Sequence, residues 1–390
     1  MTTARGLTPP SPANGQEEIR RQNLSAVLRH LHVHGPISRA ELTGRLSLNR
    51  STIGALAADL VASGLATEEA PTTSRRAGRP SLVVSPRSDR VWVRAASIEP
   101  DRLRAARIGL GGRIIDQWEA PRPPGATPLD TVAELAVLIR RTERGLGPDT
   151  LCAGGAVAVA DTIHELDGTI HLTGADDKIA AALGPDFVVA DLADAAALAE
   201  HVRGVAAGID DVVYLHGGPG VSAGILSGGR LVTGHGGRSG KVGHMVVHPY
   251  GRKCGCGSRG CWETEIGAAA LLRAAGASEG TSPQAVIRAA EWGDVLARRA
   301  LDVVADWLGL GVANLVNVFN PDIVVFGGAL RELYVAGAAN VRHCLDTMAL
   351  PASREHLQLR AGSLGADAPL IGAAELAFES LLADPLNSAG

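Results

Sequence analysis

Three of the five cysteines in this 390-residue chain, Cys254, Cys256 and Cys261, fall within a span of eight residues that begins CGCGSRGC. An odd number of clustered cysteines does not fit a set of disulfides, whereas three thiolates and one imidazole complete a tetrahedral Zn²⁺ site. The nearest upstream histidines are His244 and His248. Four protein ligands leave no position for water, so the pattern predicts a structural zinc site. The alternative is three unliganded thiols, which a reducing compartment permits.

The N-terminal segment has the helical periodicity of a small DNA-binding module. Apolar spacing predicts a first helix over residues 17–33. Ser38 followed by Glu41 forms a capping box at the start of a short second helix. Asn49 is a good N-cap for a third helix over residues 50–63. A short helix, a tight turn and a helix that opens Asn-Arg-Ser-Thr together predict a helix-turn-helix.

Two predicted strands, residues 65–68 and 81–84, follow the helix-turn-helix and can pair as a wing around a basic loop. A recognition helix places its first residues in the major groove, and a flexible basic loop fits a narrow minor groove. Residues 1–90 carry a net charge of +5, whereas the rest of the chain carries −9. The predicted contacts to double-stranded operator DNA are Arg39, Asn49, Arg50, Ser51, Thr52, Arg75, Arg76, Gly78 and Arg79. The alternative is a three-helix protein-interaction module with a basic loop.

After residue 90 the pattern changes to strands that alternate with helices, which indicates α/β layers. The predicted strands are residues 91–98, 102–108, 113–118, 151–160, 188–191, 211–215, 221–226 and 323–326. The predicted helices are residues 127–145, 193–202 and 295–318. Glycine-rich turns at residues 216–224 and 326–328 suit either phosphate binding or tight turns.

The composition is that of a globular protein, with 46% hydrophobic residues. No uninterrupted apolar run reaches the ~18 residues that a membrane span needs. The first residues, MTTARGLTPPSPANGQ, have no apolar h-region, so they do not form a signal peptide and instead predict a disordered tail over residues 1–15. We therefore expect a cytoplasmic protein with reduced thiols and no membrane partner.

Taken together, these residues resemble the ROK family (repressors, open reading frames and sugar kinases). The resemblance rests on a Gly-His pair ten residues before Cys254, on the pattern CxCGxxGCxE that follows, and on the stretch VNVFNPDIVVFGG. It implies an α/β fold in which an N-terminal winged helix-turn-helix precedes an actin-like, hexokinase-type two-lobed ATPase core. By the same resemblance, the zinc ligands are His244, Cys254, Cys256 and Cys261.

The resemblance also implies a division of the chain into domains. After the tail, residues 16–90 form the winged helix-turn-helix with its wing and linker. Residues 91–205 form a small lobe, to which a C-terminal helix at about residues 366–383 is added. Residues 206–365 form a large lobe that carries the zinc site.

The chain departs from the sugar kinases at the residues that carry their chemistry. A kinase of this family needs an Asp that accepts the proton of the attacking hydroxyl, and alignment on AAALAE puts Leu192 there. A one-residue slip would place Asp191 at that position. The first phosphate loop, residues 97–101, reads SIEPD, and the second, residues 218–222, contains a proline that removes an N–H donor. These departures predict that kinase activity is lost.

The predicted effector site consists of the polar groups that remain in the sugar pocket. They are Asp191, Lys241, His244 and Glu263. Lys241 replaces a carboxylate and favours an anionic ligand such as a sugar phosphate or sugar acid; alternatively, it pairs with Asp191 or Glu263 in a vestigial pocket.

We therefore expect a transcriptional regulator of the repressor kind that binds DNA as a homodimer or homotetramer. It senses a sugar or sugar derivative, contains structural Zn²⁺ and is not an enzyme. The alternatives are a sugar kinase with an appended DNA-binding arm and a regulator that has no effector.

Overall fold

The structure is a computed structural model that describes residues 12–70, 81–160, 179, 182–184 and 187–388. The N-terminal module contains the helices α1 (Pro12–His34), α2 (Arg39–Leu46) and α3 (Arg50–Ala62) and the strands β1 (Ile37–Ser38), β2 (Ala66–Glu69) and β3 (Val83–Pro86). Strand β3 lies between β1 and β2 and is antiparallel to both. The core of the module is apolar, and Leu28, Leu42, Ile53 and Leu60 are fully buried.

The local predictions for this module are largely confirmed. Ser38 and Glu41 form the predicted capping box, and Asn49 caps α3. The two wing strands pair as predicted, one or two residues further along the chain. Strand β1 was not predicted, because two residues are too few to show a period.

One prediction for the N-terminus was wrong. Helix α1 begins at Pro12, so the last residues of the predicted disordered tail, residues 1–15, are helical. Proline is well tolerated in a first helical turn, because the N–H that it lacks would have no partner there.

Each lobe of the body is built on a five-stranded mixed sheet. The first sheet contains β4 (Val91–Ile98), β5 (Arg102–Gly109), β6 (Arg113–Pro121), β7 (Leu151–Val159) and β8 (Phe187–Asp191). The second contains β9 (Val212–Gly217), β10 (Val221–Ser227), β11 (Arg230–Leu231), β12 (Ile323–Gly328) and β13 (Gln358–Ala361). When the strands of each sheet are numbered 1 to 5 in chain order, both sheets have the spatial order 3-2-1-4-5. Strands 1, 2 and 3 are antiparallel neighbours, and strands 4 and 5 run parallel to strand 1. The predicted two-lobed α/β fold is therefore present.

Helices cover both sheets. They are α4 (Pro128–Thr142), α5 (Leu192–Arg203), α6 (Ala268–Ala274), α7 (Pro283–Glu291), α8 (Val295–Phe319), α9 (Ala329–Met348), α10 (Pro351–Arg354) and α11 (Ala368–Ala383). Within the described part of the chain, α8 alone is long and apolar enough to cross a membrane, with a mean hydropathy of 1.3 over its most apolar window. However, 56% of that window is buried, and Leu301, Leu308 and Val312 belong to the core under the second sheet. Helix α8 is therefore buried in the way that a core helix of a folded domain is buried.

Two helices, α5 and α11, join the parts of the molecule. Helix α11 places Ala373, Ala377 and Phe378 in the same core as the first sheet and the N-terminal module. It approaches α5 so closely that a Cβ on Gly372 would lie 1.7 Å from the Ala195 carbonyl oxygen. The predicted C-terminal helix at residues 366–383 is thus placed against the first sheet.

Candidate functional site

The four predicted zinc ligands converge beside the second sheet. His244 ends a short 3-10 turn that begins at Val242, and Cys261 immediately precedes a second such turn, Trp262–Thr264. A β-bridge pairs Val246 with Cys261, so the two turns are held side by side. The intervening loop folds back between them and carries the other two cysteines.

The donor atoms of the four residues fit a tetrahedral metal ion. They all lie within 4.8 Å of one another. The Sγ atoms of Cys256 and Cys261 are 3.6 Å apart, and Cys254 Sγ lies 3.8 Å from His244 Nδ1. Zinc–sulfur bonds of ~2.3 Å at tetrahedral angles would place two sulfurs about 3.8 Å apart. Both the donor set and its spacing therefore suit Zn²⁺.

Two close contacts fix the shape of this loop. Gly260 has a φ of +66°, and a Cβ there would lie 1.6 Å from the His248 carbonyl oxygen, so only glycine fits. Trp262 is fully buried, and its indole N–H donates to the Trp307 carbonyl at 2.7 Å. A Cβ on Gly311 would lie 2.0 Å from the Trp262 ring, so α8 has a glycine where the ring packs.

Glu263 lies directly against the metal cluster. Its Oε1 is 2.9 Å from Cys254 Sγ and 3.5 Å from His244 Nδ1. Burial and the hydrogen bond to Glu263 raise the pKa of the Cys254 thiol. A bound cation would reverse this shift, because it binds the thiolate.

The other two predicted effector residues, Asp191 and Lys241, line a separate cavity of about 310 Å³. His244 and Glu263 do not line this cavity, so the four residues do not surround one space. Lys241 Nζ donates to Asp191 Oδ2 at 2.9 Å, which is one of the two pairings considered from the sequence. Burial lowers the pKa of Lys241 to about 8, although the ion pair favours its charged form.

Asp191 also has a structural role, because its side chain accepts from the Ala193 N–H at 2.7 Å and so caps α5. Leu192, at the position of the kinase base, is only 2% exposed. The carboxylate that sequence reasoning missed is Asp194, which lines the same cavity as Asp191. Its i, i+3 spacing from Asp191 was the available signal, since residues three apart share a helix face.

The two regions that correspond to phosphate loops line another cavity, of about 550 Å³. Glu99 accepts hydrogen bonds from Ser97 Oγ at 2.9 Å and Arg102 Nε at 2.8 Å. Asp101 and Pro219 belong to the same wall. The wall combines these carboxylates with Arg102 and Arg331, and Pro219 has no N–H to donate to a phosphate.

The start of α3 presents polar residues at the surface. Arg50 and Ser51 are exposed, and Thr52 is half-buried. Asn49 accepts hydrogen bonds from the Thr52 N–H at 2.8 Å and the Ser51 hydroxyl at 2.7 Å. Asn49 therefore fixes the start of the helix, which leaves Arg50 as an exposed cation at its first residue.

The remaining predicted DNA contacts lie elsewhere. Arg39 forms an ion pair with Glu68 on β2. The wing-loop residues Arg75, Arg76, Gly78 and Arg79 lie outside the described residues.

The fold and the site define a class: a two-lobed α/β protein with a helix-turn-helix module at its N-terminus and a Cys₃His metal cluster. The sequence pattern of the ROK family matches residues 101–380. The chain belongs to the ROK family.

Individual relatives differ in how much of the chain they match. The xylose repressor of Bacillus subtilis (strain 168) is 25% identical in an alignment of 378 positions that covers 94% of this chain and 97% of the repressor. An N-acetylmannosamine kinase of Escherichia fergusonii is 31% identical in an alignment of 291 positions that covers 73% of this chain and 97% of the kinase. Among solved structures, a ROK family transcriptional regulator, a homolog of the E. coli MLC protein, superposes with a TM-score of 0.77 at 24% identity, covering 95% of this chain and 99% of that chain.

Proposed function

We propose that this protein is a cytoplasmic transcriptional repressor that binds double-stranded operator DNA and senses a sugar or sugar-derived molecule. The observation that carries the proposal is the extent of the matches. The xylose repressor aligns with 94% of this chain, whereas the N-acetylmannosamine kinase aligns with 73%. A helix-turn-helix on a basic N-terminal segment supports the same function.

The DNA contact surface in this proposal is the start of α3 together with the wing loop. Arg50, Ser51 and Thr52 read the major groove, since they occupy the first turn of the recognition helix. The basic wing loop enters the minor groove. Two such modules in a homodimer or homotetramer would match an operator with two half-sites.

We also propose that the protein has no kinase activity. A hydroxyl attack on phosphate needs a proton acceptor, and Leu192 cannot provide one. Asp191 is engaged as a helix cap and as the partner of Lys241. The second candidate, a sugar kinase with a DNA-binding arm, is favoured by the 31% identity to the kinase but lacks this base.

The metal cluster in this proposal holds structural Zn²⁺ and shapes the loop that ends at Glu263. The ion pair between Lys241 and Asp191 favours the remaining candidate, a regulator without an effector. The cavity beside that pair supports sensing, because it leaves room for a small molecule next to Asp191 and Lys241.

Fluorescence anisotropy with DNA from upstream of the gene, measured at several salt concentrations, tests the proposal. Arg50→Ala should weaken binding and, if Arg50 contacts a phosphate, reduce the salt slope by about one. Arg113→Ala removes an exposed arginine of β6 in the body and serves as the matched control. Failure to bind any upstream fragment would overturn the DNA-binding function, and ATP turnover with any sugar would overturn the absence of kinase activity.

A further inference from the structure

We propose that the first lobe carries a second ligand site, in which Arg122 binds the carboxylate of a small zwitterion with an apolar body, such as an apolar α-amino acid. This site goes beyond the proposed function, because its cavity shares no lining residue with the cavity beside Asp191 and Lys241. Three features of the structure carry the inference: the unpaired charge of Arg122, the cavity that Arg122 lines, and the carboxylates on the wall of that cavity.

The guanidinium of Arg122 is buried without an ion pair. Two arginines are buried in the part of the chain that the structure describes, Arg104 and Arg122, which are 3% and 5% exposed. Arg104 forms an ion pair with Asp367. Arg122 has no carboxylate partner among the described residues, and its side chain donates only to Thr131 Oγ1 at 3.4 Å and the Glu99 carbonyl oxygen at 3.3 Å. A guanidinium has five N–H donors, so most of those of Arg122 are unused.

The charge of Arg122 therefore lacks the compensation that buried charges normally have. Burial lowers the pKa of Arg122, and no neighbouring anion offsets this effect. The guanidinium nevertheless stays protonated at neutral pH, because an arginine does not lose its proton in proteins. A ligand carboxylate would supply the missing charge and would accept two parallel hydrogen bonds from the planar guanidinium.

Arg122 lines a cavity of about 590 Å³, which falls within the range for small-molecule sites, ~300–1,000 Å³. The cavity is bounded by the end of β6, the loop that follows it and the first half of α4. The Arg122 backbone N–H donates to the Asp101 carbonyl oxygen at 2.8 Å, which fixes the residue at the edge of the sheet. Arg122 is the only positively charged side chain among the described residues that line the cavity. Much of the wall is apolar, namely Leu103, Ala120, Pro121, Pro123, Pro124 and Ala126.

Two carboxylates on α4 select the class of anion. Asp130 and Glu134 line the same cavity, are exposed, and share a helix face because they are four residues apart. Asp130 accepts a hydrogen bond from Thr127 Oγ1 at 2.6 Å, whereas Glu134 has neither an ion pair nor a hydrogen bond within the described residues. Both carboxylates would repel a phosphate dianion. A zwitterion avoids this repulsion, since its ammonium group can pair with Glu134 while its carboxylate binds Arg122 and its apolar part contacts the prolines.

Isothermal titration calorimetry on the full-length protein tests the proposal with a series of probes. The zwitterions are L-leucine and L-phenylalanine. Their amides, L-leucinamide and L-phenylalaninamide, lack the carboxylate, and 4-methylpentanoate and 3-phenylpropanoate lack the ammonium group. Inorganic phosphate is the compact anion. We expect at least one zwitterion to bind, more tightly than its amide, its amino-free acid or phosphate.

Two variants assign the binding groups. Arg122→Gln should weaken the zwitterion by about 10- to 100-fold, as for loss of a hydrogen bond to a charged group. Glu134→Gln should weaken the zwitterion by about two- to fivefold, as for loss of an exposed ion pair, and should leave the affinity for the amino-free acid unchanged. The matched control, Asp302→Asn, removes an exposed carboxylate that pairs with Arg298 on α8 and should keep the wild-type affinities.

Each outcome decides the proposal. It is overturned if no carboxylate probe binds, if an amide or phosphate binds as tightly as the zwitterion, or if a folded Arg122→Gln protein keeps the wild-type affinity, which would place the probe elsewhere. Should Arg122→Gln fail to fold, as judged by circular dichroism, Glu134→Gln and the probe series still decide. An equal loss for zwitterion and amino-free acid in Glu134→Gln, or no loss for either, would refute the pairing of the ammonium group with α4.

Discussion

Replacement of Glu375 tests how the DNA-binding module is held on the body. Glu375 lies on α11, where its Oε2 is 2.9 Å from His32 Nε2 on α1 and its Oε1 accepts from Arg203 Nε at 2.6 Å. The Gly111 N–H donates to His32 Nδ1 at 3.0 Å, which leaves His32 Nε2 to face both the Glu375 carboxylate and, at 2.7 Å, Arg203 Nη2. Glu375→Gln keeps the shape of the side chain and removes its charge.

The magnitude follows from burial. The side chains of Glu375 and Arg203 are 6% and 14% exposed, and removal of one partner of a buried ion pair costs ~3–5 kcal/mol. Although burial raises it, the hydrogen bond from His32 and the charge of Arg203 hold the pKa of Glu375 below its ordinary value of 4.5. We therefore expect Glu375→Gln to lower the free energy of unfolding by about 3 kcal/mol at pH 7. A carboxylate with a lowered pKa stabilises the fold above its unfolded pKa, so the difference should shrink as the pH falls below that value.

The matched control is Glu379→Gln, one turn further along α11. Glu379 pairs with Arg29 of the same helix α1 at 2.5 Å, but its side chain is 60% exposed. An exposed ion pair contributes ~0–1 kcal/mol, so this variant should unfold almost as the wild type does. Urea denaturation followed by tryptophan fluorescence gives both values. Equal losses in the two variants, or a loss under 1 kcal/mol for Glu375→Gln, would refute the argument from burial.

Three further predictions concern stability and metal content. Gly311→Ala should lower the free energy of unfolding by about 1–3 kcal/mol, because the added methyl overlaps the Trp262 ring. Gly44→Ala, where a Cβ meets nothing within 4 Å, should raise it by about 0.4–1 kcal/mol; urea denaturation compares the two, and a similar effect of both would contradict the packing argument. Cys256→Ser should remove bound zinc, measured by mass spectrometry, and lower the Tm; a variant that keeps stoichiometric zinc would remove Cys256 from the ligand set. Asp194→Asn should be more stable than wild type at pH 8, by on the order of 4 kcal/mol, and equally stable at pH 3, in chemical denaturation across this range. The sign follows from the pKa of Asp194, which is raised to about 7 in the folded protein. A carboxyl group with a raised pKa stabilises the fold below its unfolded pKa, and this stabilisation is lost as the pH rises through 7. An Asp194→Asn variant whose stability has the same pH profile as that of the wild type would refute the argument.

The sequence predicted those features that depend on neighbouring residues. The four residues of the His/Cys cluster lie between 244 and 261, so their donor atoms are close in sequence as well as in space. The caps at Ser38 and Asn49 are equally local, and both are confirmed. Strand β4 matches its predicted bounds, because a nearly continuous apolar run is unambiguous between turn residues.

Features that depend on distant contacts were not predictable in the same way. The sequence gives no indication that Arg39 meets Glu68, because the two residues lie on different elements of the module. The burial of Asp194 depends on the close approach of Gly224, thirty residues away, which sets the rotation of α5. For the same reason, the sequence placed four effector residues in one pocket, whereas the structure separates Glu263 from the cavity beside Asp191.

Helix α5 connects the cavity to the DNA-binding module in a single rigid element. Its first turn carries Asp194 at the cavity, and its last residue, Arg203, contacts both Glu375 and the His32 carbonyl oxygen on α1, the latter at 3.2 Å. Twelve residues of α-helix span ~18 Å, and a helix packed between a sheet and α11 moves as a unit. A ligand changes DNA affinity only through different affinities for two arrangements of the protein. A shift of α5 when a ligand occupies the cavity would provide such a difference, because residues that line the cavity and residues that hold α1 belong to the same helix.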